Sequence, residues 1–109
     1  MKDGLYYATQ FREKKRSVTE WIDERAQQVK KLNPELNAFV DWDAKAAKKQ
    51  YEAKGAETGP FFGLPIPLKM LGQEKAGMKS TSASRLFTEN RATSTDNFVK
   101  GLERLGFIL

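Results

Sequence analysis

Lys69 is the residue of this sequence with the clearest potential for chemistry, because it lies near the end of an otherwise apolar segment, GPFFGLPIPLKM, at residues 59–70. Its apolar neighbours in that segment include Phe61, Phe62 and Leu68. If those side chains enclose the lysine, desolvation disfavours the ammonium, and a neutral amine can accept a proton from a hydroxyl group. Residue types alone leave a second interpretation open, in which Lys69 lies at a strand edge and its ammonium reaches water.

The other groups available for catalysis are hydroxyls and carboxylates. The sequence has no His and no Cys, which excludes imidazole catalysis, thiolate metal sites and the usual zinc-protease pattern. Three serines follow the lysine at alternate positions and could supply a hydroxyl: Ser80, Ser82 and Ser84. A lysine near a group of serines also arises by chance. No metal or cofactor site is expected.

Length and charge limit the class of protein. A chain of 109 residues is about one domain long, and its formal net charge of +5 permits an acidic partner such as nucleic acid. The basic residues are interleaved with acidic ones almost throughout, and short clusters such as KKR at 14–16 are typical of solvated helix faces. The alternative to an enzyme is a small basic helical module that binds nucleic acid or an acidic partner.

Targeting signals are not evident in the sequence. The first residues, MKDGLYYATQFREKK, contain no apolar region before a cleavage site. No segment approaches the roughly 18 consecutive apolar residues of a membrane span. The sequence therefore predicts a cytoplasmic protein with no membrane partner.

The first half of the chain predicts helices. Residues 5–14 resemble a first helix, and Ser17-Val18-Thr19-Glu20 has the pattern of a capping box. An apolar stripe at spacings of three and four follows, formed by Val18, Trp21, Ile22, Ala26, Val29 and Leu32. Asn33-Pro34 is expected to end this helix.

The middle of the chain predicts a strand, a helix and a second strand. LNAFVDW, at residues 36–42, is rich in strand-forming residues. Asp43 is expected to cap a polar helix that runs through Lys54 and closes at Gly55 in a left-handed conformation. A turn-rich connector then leads into IPLKM, a strand whose prolines favour a sheet edge.

The last third predicts a loop followed by one helix and the start of a strand. Residues 71–94 are polar and loop-like, and Ser94 or Thr95 is expected to cap the helix. The apolar side of that helix is formed by Phe98, Val99, Leu102 and Leu105, and Gly106 ends it. The final FIL has the composition of a strand that has just begun, so the sequence reads as cut off.

Several of these segments occur in an order that resembles the N-terminal portion of the amidase signature family. They are LNPELNAFVDWD, an Ala/Lys-rich helix, GPFFGLPIPLKM, AGMKSTSAS and STDNFVKGLERLGFIL. The resemblance covers nearly the whole chain. It implies an α/β fold, a mixed sheet wrapped by helices. Residues 1–109 would then be the N-terminal fragment of a single amidase domain, with a helical segment at 1–34 and the start of the α/β core at 35–109.

The resemblance also implies an activity. Family members hydrolyse or transfer amides with a serine nucleophile, a second serine in a cis peptide and a lysine, and the lysine corresponds to Lys69. Both serines would lie beyond Leu109, and Ser80, Ser82 and Ser84 would belong to a structural loop. The implied partners are a small-molecule amide and the remainder of the amidase domain. The fragment alone would be inactive and would self-associate through its exposed apolar faces.

The chain departs from the family pattern at two positions. The family usually has Asp immediately after the lysine, where this sequence has Met70, and its loop usually reads Thr-x-Gly-Ser, where this sequence has Thr81-Ser82-Ala83-Ser84. The first departure changes how the amine is held. The second is costly if position 83 needs a positive φ.

Overall fold

The computed structural model describes residues 2–54 and 59–109. The described residues form α1 (Gly4–Arg12), α2 (Val18–Leu36), α3 (Ala44–Ala53), a short 3₁₀ helix (Arg85–Phe87) and α4 (Asn97–Arg104). The expected closure of α3 at Gly55 lies outside the described residues. None of these helices is long and apolar enough to cross a lipid bilayer.

Side-chain caps set the start of the first three helices. The Asp3 carboxylate accepts from Tyr6 N–H at 2.9 Å. Ser17 Oγ accepts from Glu20 N–H at 3.3 Å, as the predicted helix start requires. The carboxylate of Asp43 accepts from two N–H groups, those of the second and third residues of α3. A cap of this kind contributes about 1 kcal/mol, because it satisfies donors that have no partner within the helix.

The predicted end of α2 at Asn33-Pro34 is wrong, because the helix continues across the proline to Leu36. A proline removes only its own N–H donor. The residue before it is held by its side chain: Asn33 Nδ2 donates to Phe39 O and Asn33 Oδ1 accepts from Phe39 N–H, both at 2.8 Å. The helix then ends at Asn37, which has the left-handed φ of 51° and donates its N–H to Asn33 O.

The core lies where α1 crosses the start of α2. Its buried members are Ala8, Phe11, Val18, Trp21, Ile22, Phe62, Leu64 and Ile108. Only the first turns of the predicted apolar stripe are buried, since Leu32 is 49% exposed. Tyr7 stacks on Trp21 with ring centroids 4.5 Å apart, and the Arg25 guanidinium lies 4.0 Å from the Trp21 ring centroid.

α3 packs against α2, and an ion pair joins the two helices. Lys48 Nζ lies 2.7 Å from a carboxylate oxygen of Asp23. On the other side of α3, the half-buried ring of Tyr51 packs against Phe62, with centroids 5.7 Å apart. These contacts attach α3 to the core although it has no fully buried residue of its own.

Sheet pairing in the described part of the chain is limited to two single bridges, one parallel between Pro65 and Ile108 and one antiparallel between Lys79 and Arg91. The mixed sheet that the resemblance implies is therefore not formed by the described residues. The strand predicted at residues 36–42 is wrong: Leu36 ends α2, and Val40 is 78% exposed in an irregular segment. Strand propensity acts only where a neighbouring strand and a packed face are present.

Candidate active site

The backbone that leads to Lys69 is positioned by the segment after α4. Ile66 N–H donates to Ile108 O at 2.9 Å, and Ile108 N–H donates to Leu64 O at 2.8 Å. Pro65 and Pro67, on either side of Ile66, have no N–H to donate. The proline spacing therefore fits a segment that pairs on one side only, as the sequence predicted for the IPLKM strand.

Lys69 is followed by a loop that folds back on it. Lys69 N–H donates to the side-chain oxygen of Gln73 at 2.8 Å. Met70 O accepts from Ser82 N–H at 3.1 Å. Met70 Sδ lies 3.4 Å from the donating hydroxyl of Thr81. The backbone on both sides of the Lys69 Cα is thus fixed by hydrogen bonds.

The Lys69 side chain is exposed in the described part of the chain. Phe62 is buried, and Phe61 and Leu68 are half-buried. The apolar enclosure that the sequence suggested is therefore not provided by these residues. Any enclosure of the amine requires atoms other than those described.

The three serines near Lys69 have structural contacts of their own. Ser80 is buried, and its hydroxyl donates to Glu74 Oε1 at 2.8 Å. Ser82 provides the backbone contact to Met70 O. Ser84 Oγ accepts from Leu86 N–H at 3.3 Å and caps the 3₁₀ helix. These contacts are those of a structural loop.

An acidic pair closes this loop onto α4, and sequence reasoning missed it. Glu74 N–H donates to the Asp96 carboxylate at 2.8 Å, and Asp96 N–H donates to Glu74 O at 2.9 Å. Ala76 N–H donates to Thr95 Oγ1 at 3.0 Å. The predicted cap of α4 by Ser94 or Thr95 is wrong, because Asp96 is the N-cap residue and Thr95 is engaged with the loop. Asp96 in STDN was the one sequence signal for this junction.

The loop also contains left-handed backbone at residues with a Cβ. Ser82 has φ 47° and Ala83 has φ 55°. Position 83 is where the family pattern places glycine, so the conditional cost considered for the alanine applies. A residue with a Cβ in this conformation costs roughly 1–2 kcal/mol.

A second polar cluster lies between α3 and the end of the chain. Lys54 Nζ donates to Phe107 O at 2.7 Å and to Glu103 O at 3.3 Å, and Lys75 Nζ lies 2.8 Å from a Glu103 carboxylate oxygen. Burial lowers the pKa of Lys54. The Glu103 carboxylate opposes this shift, and the Lys75 ammonium adds to it. This lysine has two fixed acceptors, as expected of a structural group.

Comparison with known proteins decides the family. The sequence model of the family described as Amidase matches residues 18–109. The chain belongs to the amidase family. This amidase chain is 35% identical over 106 residues to a lipoamidase of Enterococcus faecalis, covering 97% of the chain and 15% of the relative. It is 32% identical over 84 residues to the A-type subunit of a glutamyl-tRNA(Gln) amidotransferase from Geobacillus kaustophilus, covering 72% and 17%.

A solved structure has the same fold as this amidase chain. The structure of 6-aminohexanoate cyclic dimer hydrolase complexed with substrate matches with a TM-score of 0.87 and 30% identity, over 98% of the chain and 22% of the hydrolase. The amidase chain thus spans from 15% to 22% of the length of these relatives. Its helices and loops have the arrangement of an amidase segment.

Proposed function

We propose that this chain contributes the catalytic lysine, Lys69, to an enzyme that hydrolyses an amide C–N bond through a Ser-cisSer-Lys triad. Both serines lie outside these 109 residues, and the Pro65–Ile108 pairing belongs to the mixed sheet of that enzyme. The observation that carries the proposal is the family match over residues 18–109, which includes the segment that ends with Lys69 and Met70. Two of the similar proteins are a lipoamidase and a cyclic dimer hydrolase.

The chemistry assigns one group to both directions of proton transfer. The neutral Lys69 amine accepts the proton of the bridging serine, which takes the proton of the nucleophilic serine as its oxygen attacks the amide carbonyl carbon. The C–N bond then breaks, and the proton passes back to the leaving amine. Water cleaves the resulting ester and restores the serine. A lysine suits this sequence of steps in a segment without histidine.

The exposure of Lys69 supports the need for additional polypeptide. An amine in water is held as ammonium, which cannot accept a proton, whereas an amine covered by protein is more readily neutral. In this proposal, the rest of the amidase domain covers Lys69 and supplies the N–H groups that stabilise the oxyanion. The substrate class is a small-molecule carboxamide. The 109 residues alone are expected to have no turnover.

The test uses the complete gene product that carries these residues. Amide hydrolysis is assayed against aliphatic, aromatic and peptide amides for the wild type, Lys69→Ala and the control Lys49→Ala, an exposed lysine of α3. We expect Lys69→Ala to lose at least about 100-fold in kcat, the lower end of general-base contributions. Its melting temperature should stay near that of the wild type, because Lys69 is exposed in the described segment. Retained turnover in Lys69→Ala, or no turnover by the wild type on any amide, would overturn the proposal.

A further inference from the structure

Gln73 holds the peptide of the lysine to which the proposed function assigns catalysis. Its side-chain oxygen lies 2.8 Å from Lys69 N, and the contact spans four residues. We infer that Gln73 is a positioning residue of the amidase reaction, which fixes the direction in which the Lys69 side chain leaves the backbone. This inference rests on the proposed function, because it assigns the bond a role in catalysis.

The contact completes a set of restraints on a short segment. Before the lysine, Ile66 N–H is paired with Ile108 O. After the lysine, Met70 O is paired with Ser82 N–H, and Met70 Sδ accepts from Thr81. Gln73 satisfies the N–H of Lys69 itself. The side chain at 73 is therefore the group that holds the lysine residue, while the other bonds hold its neighbours.

Local backbone geometry brings Gln73 back to Lys69. Gly72, directly before it, has φ 71°, and a Cβ built at that position would meet no atom within 4 Å. The glycine thus serves conformation and not close packing, since this φ is open to glycine at little cost. The chain reverses at Gly72, and the half-buried Gln73 side chain returns to the lysine peptide.

Fixing the lysine matters because its side chain is long. Four rotatable bonds separate the Lys69 backbone from its amine, so a small rotation of the peptide displaces Nζ by a larger distance. A displacement of about 1 Å of a catalytic group can cost on the order of 100-fold in rate. Loss of the Gln73 contact is therefore expected to lower kcat more than it changes KM, because the substrate does not need to touch this side chain.

The first measurement uses the 109-residue chain and does not depend on activity. The temperature coefficient of the Lys69 amide proton is measured by NMR in the wild type, Gln73→Leu and Gln73→Glu, with Gln28→Leu on α2 as the control. Leu removes the acceptor, whereas Glu keeps it. We expect the Lys69 amide to become water-exposed in Gln73→Leu only. An unchanged Lys69 amide in Gln73→Leu would overturn the inference.

The second measurement uses the complete gene product. We expect Gln73→Leu to lose about 10- to 100-fold in kcat with little change in KM, and Gln73→Glu to recover most of that loss. Full activity of Gln73→Leu, with Lys69→Ala inactive, would refute the role of Gln73 and leave the proposed function intact. Equal loss in the Leu and Glu variants would also refute it, because the acceptor is then irrelevant. Inactivity of the wild type would refute the proposed function, and with it the catalytic role of this bond.

Discussion

The ammonium nitrogen of Lys54 lies 2.7 Å from the carbonyl oxygen of Phe107, and one turn earlier on α3 the side-chain oxygen of Gln50 accepts from Leu109 N–H at 2.9 Å. Residues four apart on a helix lie on the same face. One face of α3 therefore satisfies backbone groups of residues 107–109, whose other edge is paired with residues 64–66.

Removing the Lys54 charge tests the effect of burial on stability. The pKa of Lys54 in the folded chain is lowered from 10.5, so between the two values the unfolded chain binds more protons. Stability from this site therefore rises with pH across that window and is flat below it, where both states are protonated. We expect the free energy of urea unfolding of wild type minus Lys54→Met to increase from neutral pH toward pH 10.5. Lys49→Met controls for loss of one charge, and a decreasing difference would contradict the burial argument.

Ala83→Gly is expected to stabilise the chain. Alanine at φ 55° costs about 1–2 kcal/mol, of which glycine returns about 0.5–1 kcal/mol through its larger entropy in the unfolded chain. A gain of up to about 1 kcal/mol should shift the urea midpoint upward with no change in slope. Ala46→Gly, on the exposed side of α3, should have the opposite sign and cost about 0.5–1 kcal/mol. Equal signs for the two substitutions would show that the left-handed backbone is not the cause.

Two glycines with similar φ separate conformational cost from packing cost. A Cβ at Gly63, with φ 80°, would lie 2.7 Å from Val18 Cγ2, whereas a Cβ at Gly77, with φ 84°, would meet nothing within 4 Å. We expect Gly77→Ala to cost about 1–2 kcal/mol and Gly63→Ala to cost about 1–3 kcal/mol more, because the core must move. Thermal unfolding of both variants measures the difference. Similar melting temperatures would contradict the crowding at Gly63.

The exposed side of α4 predicts self-association of the chain. Phe98 is 57% exposed and Leu105, two turns later on the same face, is 40% exposed, whereas Val99 is buried in the core. We expect light scattering to report association that grows with concentration, and the double variant Phe98→Lys/Leu105→Lys to reduce it. Asn97→Lys adds charge at a polar position of the same helix and should have little effect. A wild-type chain that is monomeric at all concentrations would refute this prediction.

Local signals in the sequence were sufficient for much of the helical structure. Ser17 and Asp43 cap helices because their short side chains reach N–H groups two or three residues later, which depends only on nearby residues. The end of α2 was missed because a contact of Asn33 with Phe39 supports the helix beyond the proline. The cap of α4 was missed because residues near Glu74 occupy the side chains before it.

The candidate site was predictable in part. The order of motifs identified Lys69, whereas the role of Gln73 depends on a reversal at Gly72 that no periodic pattern indicates. The strand over residues 36–42 failed for a related reason, since strands form only with partners, and propensity says nothing about whether a partner is present.

The stacking of Tyr7 and Arg25 on Trp21 gives the chain an internal optical reporter. Trp21 is 8% exposed between α1 and α2, whereas Trp42 is 44% exposed outside the core, so the two indoles have different surroundings. Replacing Trp42 with Phe leaves a single fluorophore at the α1–α2 junction. Its emission then follows the separation of these helices alone and distinguishes their opening from events in the loop around Lys69.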